Sequence, residues 1–160
     1  MAQAKTNAMR MLNKAKIEYQ MHEYPHSGNQ AVDGATVAQL LGQDPKQVFK
    51  TLVTQGASKQ YYVFAIPVLA ELDLKKAAKA AGEKSVAMIH VADINKVTGY
   101  IRGGCSPVGM KKLYPTFLDE SALQQPTIVV SGGKIGTQIE LCPQSLMEIC
   151  QAKADSLTVQ

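Results

Sequence analysis

The sequence predicts a mixed α/β (α+β) fold, in which a mixed β-sheet has helices packed against it. Three observations lead there. Apolar residues recur at three- and four-residue spacing in some stretches and alternate with polar ones in others, the periods of helix and strand respectively. The two kinds of stretch interleave in irregular order, which suits neither a helical bundle nor a two-sheet sandwich. The 160 residues, 46% of them hydrophobic, are enough to bury one core, so residues 1–160 are expected to form one domain.

The elements follow in order. Ala8, Met11, Leu12 and Ala15 come after Thr6, an N-cap residue, and predict a helix over 6–16 with Arg10 and Lys14 facing water. Ile17, Tyr19 and Met21 alternate with Glu18, Gln20 and His22, which predicts a half-buried strand stopping at Pro25. The stretch HSGNQAVDG reads as loop. Val37, Leu40 and Leu41 form an apolar stripe ended by Gly42, and Asp44-Pro45 begins a short turn. Residues 50–54 and 60–68 are β-branched and aromatic, joined by QGASK as a hairpin connection. Asp73 caps a helix with Leu74, Ala77, Ala78 and Ala81 inward, closed by Gly82, and with Lys75, Lys76 and Lys79 as a solvated face. Strands at 85–91, 116–119, 127–131 and 137–141 follow, with a glycine-rich loop at 99–109. A last helix starts at Pro143 and packs Leu146, Ile149 and Cys150. About six or seven strands and four or five helices result.

Composition narrows the function classes. Charged residues are 19% and the mean hydropathy is -0.09, which excludes both the disordered and the membrane class. The net charge of +4 suits an anionic partner. Only Arg10 and Arg102 are arginine among 17 basic residues, so contacts to nucleic acid should be mostly to phosphate and not to base edges. Cys105, Cys142 and Cys150 form no CxxC pair, which reads as a reduced, cytoplasmic chain. No apolar run is long enough for a signal peptide or a membrane span.

Two loops, TGYIRGGCSPVG and VSGGKIG, could cradle phosphate on backbone N–H groups. Gly104 and Gly109 match GxxxxG, but Met110-Lys111 replaces the Lys-Ser/Thr of a P-loop, and Gly132-Gly133 lacks the spacing of a dinucleotide turn. Both stay open as either tight turns or loops that let a ligand near the backbone. His22 and His26 are four apart, but Pro25 breaks the helix that would align them, so no metal site is expected. His90 reads as a core or edge histidine of its strand. Cys105 beside Ser106 invites a nucleophile reading, although no base for it is visible. Lys50 enters an apolar strand, where a lysine lies on a polar face or serves a site.

Five stretches, KIEYQMHEYPH (16–26), DPKQVFKTLV (44–53), LDLKKAAKAAG (72–82), TGYIRGGCSPVGMKKLYPTFLD (98–119) and VSGGKIGTQIEL (130–141), together resemble the bacterial aminoacyl-tRNA deacylases of the YbaK type. These are relatives of the editing domain of bacterial prolyl-tRNA synthetases. The resemblance covers nearly the whole chain. It implies a partly barrel-like sheet and a cleft for the aminoacylated 3′ adenosine of tRNA, with cysteine mischarged on proline tRNA as substrate. No cofactor is implied, and the partners are aminoacyl-tRNA and the prolyl-tRNA synthetase that releases it.

The lysine most tied to the family's activity falls on Lys50, with Thr51 beside it. The family tyrosine falls on Tyr24, and its GG-x-SP-x-G loop on Gly103, Gly104, Ser106 and Pro107. Two departures stand out: Cys105 replaces an apolar residue, and Gln138 replaces an aspartate implicated in the site. The family's chemistry on cysteine uses the substrate's own thiol, which attacks the ester carbonyl and leaves as a cyclic thiolactone. The protein then supplies orientation and oxyanion stabilisation, with Gly103 and Gly104 as N–H donors. Two other readings stay open. One is a deacylase for another aminoacyl group such as alanine; the other is a nucleotide- or oligonucleotide-binding module without hydrolysis, motivated by Gln138.

Overall fold

A computed structural model describes residues 5–28 and 30–159. Asn29 of the expected 26–34 loop and residues 1–4 at the N-terminus lie outside them. Helix α1 (Asn7–Lys14) starts where Thr6 accepts the Met9 N–H at 3.2 Å, and it buries Ala8, Met9 and Leu12. Met9 therefore takes the inward place expected of Met11. Strand β1 (Gln20–Glu23) is shorter and more exposed than expected. It lies at a sheet edge, and it is Ile17 and Tyr19, ahead of it, that pack on the core. Asp33 caps α2 (Gly34–Leu40), whose buried residues are Val37 and Ala38. Leu40, expected in the apolar stripe, is exposed.

Strands β2 (Phe49–Gly56) and β3 (Tyr61–Pro67) form the expected antiparallel hairpin. The Asp73 carboxylate then caps α3 (Leu74–Ala81) through the N–H groups of Lys75 and Lys76, and Gly82 closes it at φ 71°. Leu74 is exposed, leaving Ala77 and Ala78 as the buried face. One lysine of the supposed solvated face has a structural task. Lys76 Nζ donates to the Thr158 carbonyl at 2.8 Å and to Ser156 Oγ at 3.3 Å, holding the C-terminal segment.

Strand β4 (Val86–Met88) ends earlier than expected, and the chain turns through a 3-10 segment, Val91–Asp93, into α4 (Ile94–Thr98). His90 thus precedes a helical turn and is not in a strand. Strands β5 (Thr116–Asp119), β6 (Ile128–Lys134) and β7 (Thr137–Leu141) follow, then α5 (Pro143–Cys150) with Pro143 in its first turn. A short last strand, β8 (Lys153–Asp155), completes the chain.

Among the described residues the strands make two sheets, ordered β1-β7-β6 and β4-β2-β3-β5-β8. The larger is mixed, because β3–β5 and β5–β8 pair in parallel and the rest do not. The two sheets meet at one parallel bridge, Val48 to Val129, and do not close into a barrel. Alternation along the strands divides the core between two faces. Phe49, Ala65 and Leu118 face the smaller sheet, α1 and α5, whereas Leu52, Phe64, Ile66 and Phe117 face α3. Phe64 and Phe117 are register partners whose rings stack at 5.3 Å.

Leu157 seals the α3 face from the chain's far end. It is fully buried, its N–H donates to Asp119 Oδ1 at 3.0 Å, and its carbonyl accepts from Asp73 N–H at 2.8 Å. Leu157→Ala is therefore expected to destabilise the fold by about 2–5 kcal/mol, as buried leucines do. Lys153→Ala, at an exposed position on the neighbouring strand, should change stability by less than about 0.5 kcal/mol. Urea denaturation of both variants checks this, and equal midpoints would refute the packing role of the tail.

Candidate active site

The cleft arises from the way β2 shares its outer edge. Gly56 N–H donates to Gln60 C=O and Val68 N–H to Val48 C=O, so even-numbered residues of β2 bond to β3 and odd-numbered ones turn outward. Outward at Gln47, the carbonyl accepts from Val129 N–H at 2.9 Å, and at Val53 it accepts from Ile89 N–H at 3.2 Å. Strand β6 thus covers the start of this edge and β4 its end. Thr51 stands in the gap between them.

A cleft of about 160 Å³ opens there, bordered by Phe49, Lys50 and Thr51 of β2, Val130 and Ser131 of β6, and Thr137 and Gln138 of β7. Tyr24, Val37, Cys105 and the backbone turn at Gly103 also line it. The side chains of Lys50 and Thr51 leave opposite faces of the strand, and both border the cleft because it opens at the strand edge. Its volume is below the ~300 Å³ lower end of ordinary small-molecule pockets.

Thr51 carries an unusual burden. Its Oγ1 is buried with no hydrogen-bond partner, alone in this among the described residues. An unsatisfied buried hydroxyl costs about 1–3 kcal/mol, which is the kind of local cost that binding sites carry. Lys50 is half-buried and makes no hydrogen bond or ion pair with the described residues. Lys50 is also the single ionic side chain among the described residues of the cleft wall.

Gln138 is buried near the middle of β7, opposite His22 on one side and Ser131 on the other. Its Oε1 accepts from Gln43 Nε2 at 2.8 Å, while the return contact is longer, 3.4 Å. Gln43 follows Gly42 at the end of α2, so this amide pair ties the helix to the smaller sheet beside the cleft. Nothing in the local sequence pattern marks Gln43, because its partner is 95 residues away.

The glycine-rich loop divides. Gly103, at φ 85°, borders the cleft, and a Cβ there would come within 2.8 Å of Ala31 Cβ. Gly104 does not border it: a Cβ would stand 2.8 Å from Lys134 Cα, and its N–H is already donated to Ile101 C=O at 2.9 Å. This corrects the expectation that both glycines offer N–H groups to a ligand. Ser106 is fully buried away from the cleft wall and accepts the Val108 N–H at 3.2 Å. Cys105 does border the cleft, but burial pushes its thiol up to about 11 against an opposing hydrogen bond with Thr98. It is an unreactive thiol at neutral pH.

The histidines serve separate partners. His22 Nε2 meets Glu140 at 2.7 Å, and His26 Nδ1 donates to Gly28 C=O at 2.9 Å. A hydrogen bond from Thr127 and the contact with His22 lower the Glu140 carboxyl below its usual range. Among the described residues no group of three or more His, Cys, Asp or Glu converges, and no helix is long and apolar enough to cross a membrane.

The family model for the aminoacyl-tRNA editing domain matches residues 29–149. A protein of Enterococcus faecalis named as a candidate Cys-tRNA(Pro)/Cys-tRNA(Cys) deacylase, EbsC, is 46% identical over 158 residues, covering 99% of this chain and 96% of that one. A scaffold protein solved for epitope backbone grafting by computational design is 25% identical, with a TM-score of 0.84 and 96% of each chain covered. The crystal structure of a candidate trans-editing enzyme for prolyl-tRNA synthetase superposes with a TM-score of 0.80 over 99% of this chain and 100% of the other. At 24% identity that likeness is one of fold. This chain belongs to the aminoacyl-tRNA editing domain family.

Proposed function

We propose that this protein clears cysteine from mischarged proline tRNA after release from prolyl-tRNA synthetase, working in the cytoplasm. The observation that carries this reading is the charge of the cleft. Lys50 faces it with no Asp or Glu among the described wall residues, so the site favours groups that gain negative charge during reaction. The 46% identity to EbsC, named for action on cysteinyl-tRNA, supports the choice of substrate.

The nucleophile is assigned to the substrate. Cys105 is held as a neutral thiol by burial, whereas a cysteinyl ester brings its own thiol next to its carbonyl. In the first step the substrate sulfur, having lost its proton, attacks the ester carbonyl. The bond to the tRNA 3′ oxygen breaks, that oxygen takes up a proton, and the aminoacyl group leaves as a thiolactone that water opens to cysteine. Lys50 stabilises the thiolate and the developing oxyanion, and the Thr51 backbone N–H and hydroxyl offer hydrogen bonds at the open strand edge. Tyr24, Gly103 and Gln138 shape the space around the aminoacyl group. Gly104 and Ser106 act at one remove, by fixing the loop that presents Gly103. Serine is spared because its hydroxyl is a far weaker nucleophile at neutral pH than a thiol.

Lys50→Ala is expected to lose at least about tenfold in deacylation rate, ~1.4 kcal/mol of transition-state stabilisation, with an unchanged circular dichroism spectrum. A variant retaining more than a tenth of the rate removes Lys50 from the chemistry. Cys105→Ser should keep its activity, and loss of activity in a folded variant would point to a thioester on the protein instead. Rates on cysteinyl, S-methylcysteinyl and seryl esters of one tRNA test the substrate's role: the first alone should be cleaved quickly. Comparable cleavage of the S-methyl ester would return a water nucleophile to the site.

Thr51→Val separates function from folding. Removing an orphaned hydroxyl at nearly constant shape should raise stability by up to ~1–3 kcal/mol while lowering the deacylation rate. Thermal unfolding and single-turnover kinetics are measured on the same preparation. A variant less stable than wild type would mean that the hydroxyl is already satisfied in the protein.

A further inference from the structure

A second amide stands behind the cleft wall. Gln138 borders the cleft, whereas Gln43, which it meets, is not among the residues that line it. Gln43 Nε2 donates to Gln138 Oε1 at 2.8 Å, and Gln138 Nε2 returns a longer bond to Gln43 Oε1 at 3.4 Å. The terminal torsion of a glutamine is broad and roughly two-fold, so the strand alone leaves open which end of the Gln138 amide faces the cleft. Its cross-strand neighbours do not decide it. His22 Nε2 is taken by Glu140, and the Ser131 hydroxyl accepts the Gly133 N–H at 3.2 Å. Gln43 can decide it because its own backbone is pinned. Its N–H donates to Ala38 C=O at 2.8 Å, closing α2 across Gly42 at φ 66°, and the Asp44 carbonyl just after it accepts the Gln47 N–H at 2.9 Å. Ala38 in turn packs with Val48 and Val129, whose bridge sets where the cleft begins.

We propose that Gln43 is a positioning residue for the deacylation: it holds the Gln138 carbonyl out of the cleft and so turns an Nε2–H toward the ester carbonyl of the substrate. The assignment rests on the deacylase reading above and adds a residue to it that does not touch the substrate. A primary amide has two N–H donors, so Gln138 serves Gln43 with one and keeps the other for the oxyanion. Released from Gln43, the Gln138 carbonyl would find its strongest partner in the Lys50 ammonium, the cation of the same wall, because hydrogen bonds to a charged group are roughly twice as strong as neutral ones. That turn would remove one donor from the site and occupy the charge that the thiolate and the oxyanion need.

The test measures kcat and KM for deacylation of cysteinyl proline tRNA by wild type, Gln43→Met and Gln43→Glu, each also in a Gln138→Met background, with folding checked by circular dichroism. Methionine keeps the side-chain length and removes both hydrogen bonds. An ionised glutamate still accepts from Gln138 Nε2, which preserves a tie between α2 and β7, but it cannot donate to Oε1. Both substitutions should lower kcat by about tenfold or more, as loss of an oxyanion donor does, with KM changed by less than about twofold. In the Gln138→Met background neither should cost more than about threefold, because the amide through which Gln43 acts is gone. A rate kept by Gln43→Glu and lost in Gln43→Met overturns the proposal in favour of a purely structural tie. A full loss that persists in the Gln138→Met background overturns it as well, since it then runs through charge or helix displacement, and so does an effect confined to KM. An active wild type whose Gln43 variants keep their rates overturns this assignment alone. A wild type that deacylates neither cysteinyl nor alanyl proline tRNA overturns the deacylase reading and the assignment with it.

Discussion

The outer edge of β2 is the constraint on which the site depends. A strand in the middle of a sheet normally has a neighbour along its whole length, and an unpaired backbone buried against protein is costly. Here two strands of different sheets share one edge. The Val48–Val129 bridge ends the contact with β6, and the β4 ladder begins only at Val53. Moving the bridge along by two residues would cover Thr51 and close the cleft. The position of the cleft is thus set by hydrogen-bond register, and the β-branched residues of Val48 and Val129 hold that register by packing with Ala38 and Val68.

The glycine-rich loop is placed by a buried tyrosine more than by its glycines. Tyr100 donates its hydroxyl to Val108 C=O at 2.7 Å, and burial raises its own ionisation to about 12. Around that ring the backbone comes close at two glycines. A Cβ at Gly109 would stand 2.8 Å from the tyrosine oxygen, and one at Gly133 would stand 3.1 Å from Cε1 and 3.0 Å from Thr6 Cβ. Both glycine stretches, which read equally well as ligand loops, are therefore largely a packing seam between α1, β6 and the loop. Gly103 alone of the seven residues from Gly103 to Gly109 combines a left-handed backbone with a place beside Lys50 and Thr51.

Much of this was legible because local periodicity and caps act within a few residues. Thr6, Asp73 and Gly82 mark helix ends by chemistry that needs no distant partner. The misses share a physical reason. Strand β8 is three residues with mostly exposed side chains, held in register by β5, more than thirty residues earlier, so its own pattern is empty. Helix α4 is five residues long and follows a 3-10 turn, too short to show a period. The site was half legible. Lys50 and Thr51 lie together in sequence, and the family resemblance picks out Tyr24, Gly103 and Gln138, but the hydroxyl without a partner and the Gln43 amide are facts of tertiary contact.

The Gln43–Gln138 pair sets the electrostatic character of the cleft. A carboxylate at position 138 would face the same space as Lys50 and offset its charge, and it would need donors of its own on burial. The amide needs neither. Its carbonyl is satisfied by Gln43 at 2.8 Å, and its weakly engaged Nε2, 3.4 Å from the same partner, keeps donor capacity. The wall therefore presents one full positive charge and several neutral donors to whatever enters. In the proposed reaction each charge that develops is negative, first on the substrate sulfur and then on the carbonyl oxygen, so no step requires the protein to reorganise around an opposing carboxylate. Preorganised donors of one sign in a small, partly dry space are worth more than the same groups in water. That economy is consistent with a site lacking a reactive thiol, since Cys105 has been left to pack.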